Sequence, residues 1–168
     1  MLAVTHGMLA LGDVSGAAPS QSVPISVDDP HLEECGCDYA EWVAAAGDVN
    51  GDSYDDFFIA GRAGGLRLYT GGVDVLQEFT RLDGSIAAGV GDINGDGHDD
   101  FHVDYTIFLG DPLGEEVALP DPEAKLLGGA GDLNSDGYDD LLVWHGPEDA
   151  PEIVRYYGGP DGLTVGEP

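Results

Sequence analysis

The chain has 168 residues, 42% of them apolar, with 27 glycines and 10 prolines. That suffices for one domain or a short repeat array, and the abundance of turn formers favours short strands over long helices. A formal charge of −28, from 33 acidic and 5 basic residues, argues against nucleic acid and anionic membrane surfaces, which attract Lys and Arg.

The first forty residues are irregular. "MLAVTHGM" lacks a basic flank and a small-residue cleavage site, so it does not read as a signal peptide. No apolar run approaches the ~20 residues of a membrane span, and no membrane insertion is expected. "LAVT" and "VPISV" are short strand candidates. Between them, "LGDVSGAAPS" places Asp13 in an acidic turn that has lost most of its acids. Cys35 and Cys37 in "EECGCDY" can pair within the chain only across a small, strained ring, or stay free. His31 lies nearby, but a Cys–His metal site would lack a fourth ligand. The pair does not settle the redox compartment.

From there one pattern recurs: "GDVNGDSYDD" at 47–56, "GDINGDGHDD" at 91–100 and "GDLNSDGYDD" at 131–140. Their first aspartates are Asp48, Asp92 and Asp132, 44 and 40 residues apart, and Asp13 stands 35 residues before Asp48. A small-residue run precedes each turn ("WVAAAGD", "IAAGVGD", "LLGGAGD") and an apolar run comes after it ("FFIAG", "FHVDYTIFLG", "LLVWHG"). Aromatic-rich runs ending in glycine come next: "LRLYTGG", "TIFLGDPLG", "VRYYGGPDG". "QEFTRL" supplies a weaker outer strand. Four strands in ~40–45 residues make one propeller blade. The expected architecture is all-β: a β-propeller of about four blades in one domain, 1–168. The blades are placed near 47–90, 91–130 and 131–168, with an irregular one at 8–46 and residues 1–5 as the outer strand of the last. Small side chains in the first strand let neighbouring blades approach. The runs "FFIA" and "LLVW" lack alternation, as strands covered on both faces do.

Positions are counted from the first Asp of each turn. Positions 1, 3, 5 and 9 are Asp48, Asn50, Asp52 and Asp56; Asp92, Asn94, Asp96 and Asp100; Asp132, Asn134, Asp136 and Asp140. Alternate side chains of a tight loop can converge, and Ca²⁺ takes six to eight oxygens in irregular geometry. The main-chain carbonyl of position 7 (Tyr54, His98 or Tyr138) would add another oxygen. Mg²⁺ demands stricter octahedral geometry, and zinc prefers Cys or His. About three Ca²⁺ per chain are expected. Position 6 needs a positive φ, where Gly97 and Gly137 are at ease and Ser53 is not, so the Asp48 site should be the weakest. The eroded copy has Ser15, Ala17 and Gln21 at positions 3, 5 and 9, and no ion is expected there. Asp55, Asp99 and Asp139, at position 8, are expected to face solvent. Position 12 is Ile59, Val103 or Val143 rather than an acid, and it lies in a strand-like run; this excludes EF-hand and dockerin loops.

These stretches resemble FG-GAP repeats, the blades of the integrin alpha-chain propeller and of many bacterial surface proteins. The resemblance rests on "AAAGDVNGDSYDDFFIAG", "AAGVGDINGDGHDDFHV" and "GGAGDLNSDGYDDLLVWHGP", with "YYGGPDGL" similar to the third strand and its turn. It implies calcium in the hairpin between the first two strands of each blade, held by positions 1, 3, 5, 7 and 9. Ser53 and Ser135 depart from glycine at positions 6 and 4. The blade count departs too, because such propellers commonly have about seven. Four blades would close alone, a second chain would complete the ring as a homodimer, or the sequence is a fragment of a longer propeller.

The reading is a calcium-binding, non-catalytic scaffold or adhesion module, extracellular or at the cell surface, with a protein or glycan ligand. A lectin using Trp42, Trp144, Tyr69, Tyr156 or Tyr157 as sugar platforms is the alternative, as is an accessory domain of a secreted enzyme. No G-x-S-x-G occurs, and His102 with Asp104, read as sharing a strand face, has no nucleophile beside it.

Overall fold

The computed structural model describes residues 40–61, 65–72, 77–110, 114–147 and 152–166. These form an all-β structure of three antiparallel four-stranded sheets, with no helix among the described residues and hence none long and apolar enough to cross a membrane. Sheet I is β1 (Ala40–Gly47), β2 (Asp56–Gly61), β3 (Leu66–Thr70) and β4 (Gln77–Leu82). Sheet II is β5 (Ala87–Gly91), β6 (Asp100–Val103), β7 (Thr106–Phe108) and β8 (Glu116–Val117). Sheet III is β9 (Lys125–Gly131), β10 (Asp140–His145), β11 (Glu152–Tyr157) and β12 (Thr164–Val165). Each sheet runs in sequence order, strand beside strand.

Three details differ from the sequence reading. Each small-residue strand belongs to the sheet of the turn after it, so the units begin at 40, 87 and 125 rather than at the turns. Residues 40–46, expected in the irregular blade, are therefore most of β1; the rest of that blade, with "VPISV", Cys35 and Cys37, lies outside the described residues. The outer place in sheet III, expected from residues 1–5, is taken by β12, and residues 1–5 are likewise outside the described set. Finally, "FHVDYTIF" is a hairpin, with Asp104 and Tyr105 as its two-residue turn and φ of Asp104 at 51°. Asp104 thus does not continue the strand of His102. The positive φ suits an Asp in a tight hairpin, whose backbone twist matches that of the strands.

The first strands of neighbouring sheets lie against each other. Their glycines have a steric reason. A Cβ on Gly129 would sit 2.7 Å from the Val90 Cα, and one on Gly89 would strike the Ala46 carbonyl. Each first strand also carries a bulge just before the acidic turn. Gly47 pairs with Asp56 and Ala45 with Phe57, so Ala46 is extra; Val90 and Ala130 are the equivalents. The glycine closing each bulge has positive φ, at 81°, 83° and 69° for Gly47, Gly91 and Gly131. A bulge bends its strand, and here it re-aims the chain into the turn.

Apolar cores fill the spaces between sheets. Phe58, Leu66, Leu68, Phe101 and Val103 share one with Ala46 and Val49, between sheets I and II. Val90, Ile93, Ile107, Leu126, Leu141 and Val143 share the other, between sheets II and III. This is the nearest-neighbour arrangement of repeat proteins, where one unit cannot bury its faces alone. Phe58 is fully buried and meets Phe101 at 5.4 Å between ring centroids. Phe58→Ala is expected to destabilise the protein by about 3–5 kcal/mol in urea unfolding, through lost transfer energy and the cavity left behind.

Candidate metal centre

The three acidic turns fold on themselves in the same way. In the second, the Asp96 N–H donates to Asp92 Oδ1 (3.2 Å) and Asn94 Oδ1 (2.9 Å), Gly97 N–H donates to Asp92 Oδ2 (3.0 Å), and His98 N–H donates to Asp96 Oδ1 (2.9 Å). The Asn94 side-chain amide donates to Asp96 Oδ2 (2.8 Å). Equivalent bonds run through Asp48, Asn50 and Asp52, and through Asp132, Asn134 and Asp136. Positions 1, 3 and 5 therefore aim their oxygens into the loop. Position 6 has positive φ in every copy: Ser53 71°, Gly97 89°, Gly137 96°. So has position 4, where Ser135 stands at 62° in place of the glycine of the other turns. The first and third turns each hold one serine in the left-handed region, at about 1–2 kcal/mol apiece. Ser53 thus does not single out the Asp48 turn; only the Asp92 turn is free of this strain.

Position 9 is more than a potential ligand. Asp56, Asp100 and Asp140 begin the second strand of each sheet and are buried to 1% exposure or less. One oxygen of Asp100 accepts the Ile93 N–H (2.8 Å) and the other accepts the Gly110 N–H (2.6 Å). Asp56 takes Val49 and Gly71, and Asp140 takes Leu133 and Gly158, in the same manner. One carboxylate thus clamps the start of the turn to the loop after the third strand. Burial pushes the Asp100 carboxyl up to about 7, against its two N–H donors, with the charges of Asp96 and Asp92 adding to the rise. Asp56 is raised for the same reasons, with Asp52 and Asp48 as the neighbouring charges. Burial acts against the Asp96 carboxylate too, but the bonds from Asn94 and His98 outweigh it and hold its pKa low.

Position 8 does not face solvent in two of the three copies. The Asp48 N–H donates to Asp99 Oδ2 (2.8 Å), and the Asp99 N–H donates back to the Asp48 carbonyl (2.9 Å). Asp139 and Asp92 repeat this reciprocal pair at 3.0 Å each. These aspartates reach across to the preceding turn and join sheet to sheet. The signal in the sequence is the "DD" doublet together with the glycine before each turn. A Cβ on Gly47 would collide with the Asp99 carboxylate, and one on Gly91 with that of Asp139. Burial raises the Asp139 pKa, and the charges of Asp99, Asp92 and Asp132 raise it further. Carboxylates of successive turns therefore repel across the seam.

The donor set suits a hard divalent cation. Each turn offers carboxylate and amide oxygens and no thiolate. Every carboxylate oxygen has two acceptor sites, so an oxygen holding one N–H keeps capacity for a ligand bond. Among the described residues, no three His, Cys, Asp or Glu side chains make a ready-built cage by themselves. A cation here would draw its oxygens from carboxylate, amide and main chain together, as Ca²⁺ sites do.

The other candidates are placed as follows. His102 is buried in β6, and its Nδ1 lies 3.0 Å from the Asp104 carbonyl oxygen; burial lowers its pKa, and Asp104 partly offsets this. The Asp104 carboxylate accepts the Ser85 and Ile86 N–H groups (3.1 and 3.2 Å) and so ties the β6–β7 hairpin to the residues just before β5. Tyr69 stacks on Phe57 at 5.6 Å, Tyr156 lies in the second core, and Trp42 packs against the first. The Lys125 ammonium covers the Trp144 ring at 4.9 Å. Tyr157 is half-buried against Gly166. The His145 Nε2 pairs with Asp121 Oδ2 at 2.6 Å. No family model matches the chain, and no curated protein matches it.

Proposed function

We propose that the chain is a calcium-binding, non-catalytic binding or scaffold module of an extracellular or cell-surface protein, built as an FG-GAP-like β-propeller. The observation that carries the reading is the threefold recurrence of one turn whose Asp, Asn and Asp oxygens all point inward on the same main-chain N–H groups. An acidic, merely solvated surface has no reason to repeat that geometry. The ion in each turn would be held by positions 1, 3, 5 and 9 and the position 7 carbonyl: Asp48, Asn50, Asp52, Tyr54 and Asp56; Asp92, Asn94, Asp96, His98 and Asp100; Asp132, Asn134, Asp136, Tyr138 and Asp140. When bound, calcium supplies positive charge where three carboxylates meet in each turn and where successive turns repel. A ring completed by the irregular first repeat, or by a second chain, belongs to the same proposal. The five aromatics considered as sugar platforms are wholly or partly packed away, which favours the scaffold reading over the lectin.

Native mass spectrometry and equilibrium dialysis test the proposal. Three Ca²⁺ per chain are expected, and two in Asp96→Asn. No saturable binding at millimolar calcium overturns it.

A further inference from the structure

Each acidic turn folds an Asn carboxamide back towards the main-chain nitrogen of the next residue. The position 5 N–H donates to the Asn Oδ1 at 2.9 Å in all three turns. That bond closes a ring of atoms that contains both the Asn Cγ and the position 4 nitrogen. The Asn Nδ2 is tied to the position 5 carboxylate in each copy as well. Carbonyl carbon and nitrogen are thus held within one small loop. An N–H already sits on the oxygen where negative charge would develop if the nitrogen attacked.

The turns differ at position 4. Gly51 and Gly95 have no side chain to obstruct their nitrogens, whereas Ser135 has one. Both glycines pack against a ring of the next turn, His98 and Tyr138, so the rings do not distinguish them. One bond does. The Gly95 N–H donates to Asp92 Oδ1 at 2.6 Å. Among the described residues, neither the Gly51 nor the Ser135 N–H has such an acceptor. Only the second turn therefore combines an unhindered nitrogen, a held carbonyl oxygen and a carboxylate on the proton that must leave. Gly95 and Asp96 are exposed, so water reaches this loop.

We propose that Asn94 is a self-modifying site when its turn holds no ion. The Gly95 nitrogen bonds to Asn94 Cγ as its proton passes to the Asp92 carboxylate. The Asp96 N–H holds the oxyanion on Oδ1. The Cγ–Nδ2 bond then breaks, and the nitrogen leaves as ammonia with the proton returned by Asp92. The product is a cyclic imide between Asn94 and Gly95. Water opens it at either carbonyl, to aspartate or to isoaspartate. Isoaspartate lengthens the loop by one main-chain carbon and displaces the oxygen that accepts the Asp96 N–H. Since the ammonia is lost, the turn does not revert. A bound ion takes the Asp92 and Asn94 oxygens and so protects the turn. That protection rests on the calcium binding proposed above; the reaction of the empty turn does not.

Incubation of the full chain in EGTA at neutral pH tests it, with peptide mapping by mass spectrometry and isoaspartate detection at each Asn. Unfolded in urea, Asn50 and Asn94 share the sequence Asn-Gly-Asp and should react at equal rates. In the folded, ion-free chain, Asn94 is expected to react at least about ten-fold faster than Asn50, with Asn134 slowest. Asp92→Asn should bring Asn94 down to the rate of Asn50 in the folded chain and leave its rate in urea unchanged; circular dichroism checks the fold. Equal rates at Asn50 and Asn94 in the folded chain overturn the inference. So does an Asn94 rate that Asp92→Asn leaves unchanged or raises. Calcium should slow Asn94 in the folded chain. If the order of rates holds but calcium has no effect, the modification stands and ion binding fails, so the two proposals fail separately.

Discussion

Stripping divalent cations with EGTA is expected to lower the thermal midpoint by more than about 10 °C, the largest effect foreseen for this protein. A ligand that binds only the folded state at 100 times its Kd stabilises by about 2.7 kcal/mol per site. With three turns the gross effect is near 8 kcal/mol, and a chain of this size shifts by roughly 2–4 °C per kcal/mol. The physical source is the crowding of charge: Asp139 feels Asp99, Asp92 and Asp132, and Asp100 feels Asp96 and Asp92. Differential scanning calorimetry in 2-fold steps of calcium, at fixed ionic strength, separates specific binding from general screening. A midpoint that rises equally with sodium and with calcium at matched ionic strength counts against ion-filled turns.

The second large effect concerns the glycines that precede the turns. Gly91→Ala is expected to cost about 1–2 kcal/mol from its left-handed backbone. It also pushes the Asp139 carboxylate off the Asp92 amide, which adds about 1–3 kcal/mol for a part-buried group left unsatisfied. Gly131→Ala meets the backbone term alone, since nothing described lies within 4 Å of its added Cβ. Urea unfolding should therefore show a loss of about 2–5 kcal/mol at Gly91, from both terms, and about 1–2 kcal/mol at Gly131, from the backbone term alone. Gly47→Ala should resemble Gly91→Ala, because Asp99 plays the part of Asp139. Equal effects at Gly91 and Gly131 would mean that the carboxylate contact contributes nothing.

The strands are largely legible in the sequence because their signals are local. "QEFTRL" is β4 from end to end, and the small-residue runs are the first strands. The inward geometry of positions 1, 3 and 5 is legible too, since side chains two residues apart in a tight loop must share a side. The misreadings share one cause. Asp139 reads as solvent-facing because its partner, the Asp92 amide, is 47 residues away. His102 and Asp104 read as one strand because a two-residue hairpin without glycine leaves little trace in sequence. Position 9 reads only as a ligand, since its partners Gly71, Gly110 and Gly158 belong to a different loop.

The sequence by itself determined the repeat, the all-β class and the residues that crowd oxygen into each turn. All three derive from periodicity and from bonds that span a handful of residues. Only the tertiary structure decided how the sheets meet: that the first aspartate of the second and third doublets reaches the preceding turn, and that position 9 is a buried clamp. Those facts depend on groups up to 51 residues apart in the chain, brought together by burial of Phe58, Phe101 and Leu141 between sheets. Burial is indifferent to sequence distance, and so no local pattern announces it.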